Sequence, residues 1–205
     1  MNNLLGEQSA GHSTALLMID VINDMEFDGG DRLLEFAEPM VAPLVQLKRR
    51  ARHHRVPVIY VNDNFGMWRS DFAATFDNVC NRPCRGQAIA DALRPDEEDF
   101  FVLKPKHSGF HYTPLPLLLT SLGVERLVLC GVAGNICVLF TANDAIMHGY
   151  EVVIPRDTLA SESSEANDWA LRQFRDVFGV QTPLSDEVRF DAVGDGRTSA
   201  MEDAA

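Results

Sequence analysis

Lysine is scarce in this chain: three residues, at 48, 104 and 106, stand against fifteen arginines in 205. A lysine in a demanding place therefore signals a need for a compact ammonium rather than a planar guanidinium. Positive charge is short overall. The net charge of −12 and pI near 4.8 would repel a polyphosphate backbone, because nucleic-acid affinity comes largely from Lys and Arg displacing counterions. Nucleic acid and membrane are not expected partners, which leaves a small molecule. Long apolar runs are missing too: none approaches the roughly 20 residues that cross a bilayer, and the opening MNNLLGEQSAGHST lacks the basic start and apolar centre of a signal peptide. A cytoplasmic protein is the expectation. Cysteine occurs four times, at 80, 84, 130 and 137, too few and too irregular for a disulfide framework. The CNRPC spacing of Cys80 and Cys84 has neither a second cysteine pair nor a suitable histidine pair to complete a zinc site. No metal and no cofactor are expected, and these two cysteines read as residues of a loop or helix start.

What is present is a core. At 46% hydrophobic, 205 residues suffice for one well-buried domain and are short for two. Six β-branched-rich apolar runs, at 15–20, 57–62, 100–103, 126–131, 150–155 and 179–182, read as strands. Between them, helical periodicity appears notably at 38–54, 84–93, 114–122, 135–148 and 163–178. Strands alternating with helices imply an α/β protein: a three-layer α/β/α arrangement around a six-stranded parallel sheet, Rossmann-like in layout. The domain is expected over 14–184, with a flexible segment at 1–13 and a loose tail at 185–205, where periodicity gives way to Asp, Gly and Ala.

In an open parallel sheet the ligand site lies beyond the carboxyl ends of the strands. The first strand ends in Asp20, the second in NDNFGMW, the third in Lys104 and the fourth in the turn GVAGNIC. Cys137 falls in the first turn of the following helix, where N–H groups and the helix dipole favour thiolate, so it is a candidate nucleophile. The alternative is a small hydrophobe packed beneath a helix start. Cys130, inside its strand, reads as core. Asp20, directly after four apolar residues, must be held by partners or face a cavity, or else it serves as a cap. Lys104 is either a site ammonium or a surface charge, and Lys106 lies further into the loop. The histidines form no competing cluster: His53 and His54 end a basic helix, and His107, His111 and His148 are scattered, although a pairing of the thiol with His107 stays open.

With Asp20, Lys104 and Cys137 located, the sequence resembles the isochorismatase-like cysteine hydrolases, which include nicotinamidases and N-carbamoylsarcosine amidase. The similarity covers most of 14–182 and is strongest in GVAGNICVLFTANDAIMHGYEVVIPRDTLAS, with LKPKHSGF and LLMIDVINDMEF as separate matching segments. The resemblance implies an Asp20–Lys104–Cys137 triad that hydrolyses a C–N bond of an amide or ureido compound through a covalent thioester. It further implies an oxyanion hole from the N–H groups of Ala133 and Cys137, with a cis peptide between Val132 and Ala133. Phe27, Phe65, Trp68 and Phe110 are candidate pocket walls, and a homo-oligomer, dimer or tetramer, is expected. The chain also departs from the pattern. Nicotinamidases carry Asp-x-His and a further His after the second strand to hold a metal, whereas no histidine occurs here between His54 and His107. The usual Thr of the turn is Gly134. A strict isochorismatase acting on a vinyl ether, or a low-turnover binding protein retaining the fold, are the alternatives.

Overall fold

The computed structural model describes residues 14–190, apart from 67 and 70. The order is β1 (Thr14–Ile19), α1 (Gly30–His53), β2 (Val58–Asp63), α2 (Phe72–Cys80), α3 (Gln87–Ala92) and β3 (Phe100–Lys104). There follow α4 (Leu115–Ser121), β4 (Arg126–Val132), α5 (Leu139–Met147), β5 (Glu151–Val153), β6 (Leu159–Ala160) and α6 (Ser164–Arg172). All strand pairs are parallel, in the order β3-β2-β1-β4-β5, with β6 beside the end of β4. Alternation along the strands sorts the core into two layers. Leu16, Met18, Val58, Tyr60, Val128 and Cys130 pack towards α1 and α3. Leu17, Ile19, Ile59, Val61, Leu127 and Leu129 pack towards α4, α5 and α6. No helix among the described residues is long and apolar enough to cross a membrane.

Four differences from the sequence reading have physical causes. Helix α1 begins eight residues before the expected 38 and runs through Pro39 and Pro43. An interior proline costs a helix about 3 kcal/mol, yet the stripe Leu33, Ala37, Met40, Leu44, Leu47 and Ala51 is buried along one face and outweighs that loss. The expected sixth strand at 179–182 is only a single bridge, Val153 to Gln181. The sixth strand is instead Leu159–Ala160, paired through Gly131 with Leu159 and Val132 with Ala160, and it is too short to show a period. Helix α2 was read as loop; Asp71 caps it by accepting from the Ala74 N–H at 2.8 Å. The expected loose tail is wrong for 185–190. Arg50 donates to the carbonyls of Ser185 and Val188, Asp157 accepts from the N–H and hydroxyl of Ser185, both at 2.7 Å, and Val188 and Phe190 are buried in the α1 layer. Two apolar side chains in a polar stretch suffice to dock it. Residues 1–13 and 191–205 lie outside the described residues.

Gly131 sets how closely β4 approaches β1 next to the site. Its φ is +114°, and a Cβ there would lie 2.0 Å from the Ile19 carbonyl oxygen. Both the conformation and the backbone contact exclude a side chain. Gly131→Ala is expected to destabilise the protein by at least about 3 kcal/mol, a fall of roughly 6–12 °C in Tm for a domain of this size. An unchanged thermal transition would contradict the approach.

Candidate active site

The strand order places the ends of β3, β2, β1 and β4 side by side, so Lys104, Asp63, Asp20 and the turn bearing Cys137 meet on one edge of the sheet. Asp20 leaves β1 with a positive φ of 51°, while its N–H still donates to the Val61 carbonyl at 3.0 Å. That left-handed bend is rare outside glycine and collects at functional sites. The carboxylate is buried. Its Oδ1 accepts from the Asp63 N–H at 2.7 Å, and its Oδ2 lies 2.9 Å from Lys104 Nζ, the ammonium that also reaches the Cys137 Sγ.

Lys104 closes β3 opposite Asp63 and is 0% exposed. Its ammonium reaches three groups: Asp20, the Cys137 Sγ at 3.5 Å and the Asp63 Oδ2 at 3.4 Å. The rarity of lysine proves informative twice. Lys48 is also buried, 3.0 Å from Asp96 and 3.1 Å from Asp99, whereas Lys106 is exposed.

Cys137 sits in a single π-turn, Gly134–Val138, that joins β4 to α5. The Val138 N–H reaches back five residues to the Ala133 carbonyl at 3.2 Å. Inserted turns of this type recur at functional sites. The expected cis peptide between Val132 and Ala133 is present. Gly134 has no room for the side chain of the usual threonine, because a Cβ there would meet Leu159 Cγ at 2.7 Å and Asn167 Oδ1 at 3.0 Å. Thr141 donates to the Cys137 carbonyl at 2.7 Å and accepts from the Gly109 N–H at 3.0 Å. Ser108 donates to Asp144 at 2.5 Å. The Ser108–Gly109 and Thr141–Asp144 segments thus tie the loop after Lys104 to the helix after Cys137.

The electrostatics correct the expectation of a preformed thiolate. Burial, reinforced by the Asp20 carboxylate and only partly offset by Lys104, pushes the Cys137 thiol up to about 12. Burial likewise holds Asp20 above the ordinary aspartate value, against the opposing pull of Lys104. For Lys104, burial acts downward, but Asp20, Cys137 and Asp63 outweigh it and hold the ammonium above its usual value. The helix start alone does not decide the protonation state. The sulfur therefore rests as a thiol beside Asp20 and Lys104.

The aromatic candidates divide. Phe27, Phe65 and Trp68 lie exposed on the loops after β1 and β2. Phe110 is buried in the α5 layer, stacked on His148 at 5.1 Å between ring centres and tilted against Tyr150 at 5.9 Å; it is core. His107 packs its ring against Phe140 at 5.5 Å. The residue overlooked was Asp63, and the available signal was its place at the end of the second of the converging strands.

The residues after β2 do not suit the metal carried by nicotinamidases. Asn62 Nδ2 donates to the Ile22 carbonyl at 2.7 Å, Asp63 Oδ1 accepts from the Phe65 N–H at 2.7 Å, and Asn64 Oδ1 accepts from the Gly66 N–H at 2.9 Å. These side chains build the turn itself. Among the described residues no group of three or more His, Cys, Asp or Glu is arranged to hold a metal ion.

The three-layer fold with this sheet order is shared by a class of hydrolases. The chain belongs to the isochorismatase family, whose domain profile, the isochorismatase domain, matches residues 14–186. It is 41% identical over 174 residues to the uncharacterized isochorismatase family protein YaaI of Bacillus subtilis (strain 168), covering 85% of this chain and 95% of that protein. Ureidoacrylate amidohydrolase RutB of Methylorubrum extorquens is 35% identical over 106 residues, 51% of this chain and 42% of the relative. Among solved structures, N-carbamoylsarcosine amidase from Thermoplasma acidophilum superposes with a TM-score of 0.64 at 25% identity, over 86% of this chain and 99% of that one. The protein is a hydrolase of this family with amidase-type relatives.

Proposed function

We propose that the protein hydrolyses a C–N bond of a small amide or ureido substrate through a covalent thioester on Cys137, with Asp20 as proton acceptor and Lys104 as the fixed positive charge between them. The observation that carries this reading is the single ammonium within 2.9 Å of Asp20 Oδ2 and 3.5 Å of the Cys137 Sγ. Asp20 takes the thiol proton as sulfur attacks the carbonyl carbon. The S–C bond forms, the C–N bond breaks, and the proton passes from Asp20 to the departing nitrogen. Water then gives a proton to Asp20 as its oxygen attacks the thioester, and the proton returns to sulfur when the acid leaves. The N–H groups of Ala133 and Cys137 are the oxyanion donors in this scheme, each worth about 3 kcal/mol when preorganised. Phe27, Phe65 and Trp68 form the walls around the substrate.

A thiol that is protonated at rest makes the proton transfer part of the chemical step. Activity requires Asp20 ionised, and its raised pKa sets the direction of the pH effect. The acid limb of kcat/KM is expected above the ordinary aspartate value of about 3.9, with rate lost as pH falls through the raised pKa. Intact-mass spectrometry after exposure to a panel of primary amides and ureido acids is expected to show an acyl adduct on Cys137 that decays with turnover. Turnover with an acid limb at the ordinary aspartate value, or with adducts confined to other residues, would refute the mechanism.

A further inference from the structure

Asp63 is not needed to ionise the thiol, yet it is built into the site. Its backbone N–H holds Asp20 Oδ1 at 2.7 Å. Its side-chain Oδ1 is committed to the Phe65 N–H at 2.7 Å. Among the described residues the remaining oxygen, Oδ2, has one partner, the Lys104 ammonium, at a long 3.4 Å. The side chain is 28% exposed, against 6% for that of Asp20. A carboxylate oxygen accepts more than one hydrogen bond, and this one, on a partly exposed side chain, shares its ammonium with the Cys137 Sγ.

We infer that Asp63 is a specificity-determining residue: its Oδ2 accepts an N–H of the substrate's scissile nitrogen and thereby selects unsubstituted or monosubstituted amides and ureas over esters of the same acid. The inference rests on the proposed attack by Cys137, and the spacing supports it. Sulfur and Oδ2 both lie within 3.5 Å of one Nζ. A carbonyl carbon at an attack distance of about 3–3.5 Å carries its nitrogen about 1.3 Å further on, from which an N–H reaches an oxygen about 2.9 Å away. The chain S···C–N–H···O spans the two groups that share the ammonium. An ester oxygen in that place offers no proton and turns its lone pairs on a carboxylate. A site built around a hydrogen-bond donor rejects an analogue lacking it more strongly than a pocket rejects a missing methylene. Asp63 takes no part in the proton transfers and only orients the leaving nitrogen.

The test uses two acetylating probes that differ in that donor on the scissile atom, p-nitroacetanilide and p-nitrophenyl acetate, so that no natural substrate need be known. Wild type, Asp63→Asn and Asp63→Ser are treated at one pH, and the adduct on Cys137 is followed by mass. The ester rate reports the reactivity of the thiol, and the amide-to-ester ratio reports Asp63. Wild type is expected to favour the amide about tenfold more than either variant does. An unchanged ratio in both variants overturns the assignment, whatever happens to the absolute rates. Failure of the thioester mechanism would appear differently, as no acetyl adduct on Cys137 from either probe, which is distinct from adducts formed at an unchanged ratio.

Discussion

Cys137→Ala is expected to fold normally and to lose at least about 10³-fold in kcat on any amide the wild type hydrolyses, because the sulfur that forms the covalent bond is gone while Asp20 and Lys104 remain. Cys137 is only partly buried, and alanine suits a helical turn, so Tm should move by no more than a few degrees. Cys130 provides the contrast. It is fully buried, its Sγ donates to the Leu17 carbonyl at 3.2 Å, and burial pushes its thiol far above the usual range. Cys130→Ala should cost about 1–2 kcal/mol of stability and leave the chemistry intact. Equal turnover by Cys137→Ala and wild type would remove the nucleophile from the mechanism.

Substitution of Lys104 is expected to damage both rate and fold. Arginine keeps the charge, but a side chain that is 0% exposed among Asp20, Asp63 and Cys137 has no space for a planar guanidinium. Lys104→Arg should therefore lose about 10²-fold or more in kcat/KM, since a misplacement of about 1 Å suffices for a loss of that size. Lys104→Met fills similar volume and leaves Asp20 buried without its counter-ion, which costs about 3–5 kcal/mol. The sign of the pH dependence follows. Without the ammonium, the folded pKa of Asp20 rises further above its unfolded value of about 3.9, so the folded state holds the proton more tightly. The deficit in Lys104→Met is present above that raised pKa and is relieved as pH falls through it. Urea unfolding across pH reads this directly. A deficit independent of pH would mean that the lysine acts by packing alone.

The parallel core and the three principal site residues were legible because each leaves a local trace. Strands β1 to β4 are apolar runs of five to seven residues that end in a polar or turn-forming residue, and parallel topology sends those ends to one edge. Lys104 stood out against an arginine-rich background. Features held by tertiary contact left no such trace. The two residues of β6 are a strand only because β4 lies beside them. The start of α1 was hidden by prolines that its buried stripe tolerates. The docking of 185–190 depends on Arg50 and Asp157, far away in the chain. The protonation of Cys137 was misjudged for the same reason: a helix start can be seen in a sequence, but the burial and the neighbouring carboxylate that outweigh it cannot.

The turn Gly134–Val138 fixes the aim of the sulfur by arithmetic rather than by chemistry. It closes five residues back, where a regular helix closes four back, so it carries one residue more than α5 would need to continue unbroken to the end of β4. Each residue of a helix turns the chain by about 100°. Deleting Gly134, Asn135 or Ile136 would let the helix wind regularly and swing the thiol by about that angle, away from Lys104, with every catalytic side chain still encoded. Among descendants of this sequence, substitutions in the turn are open to evolution one at a time, but its length is not.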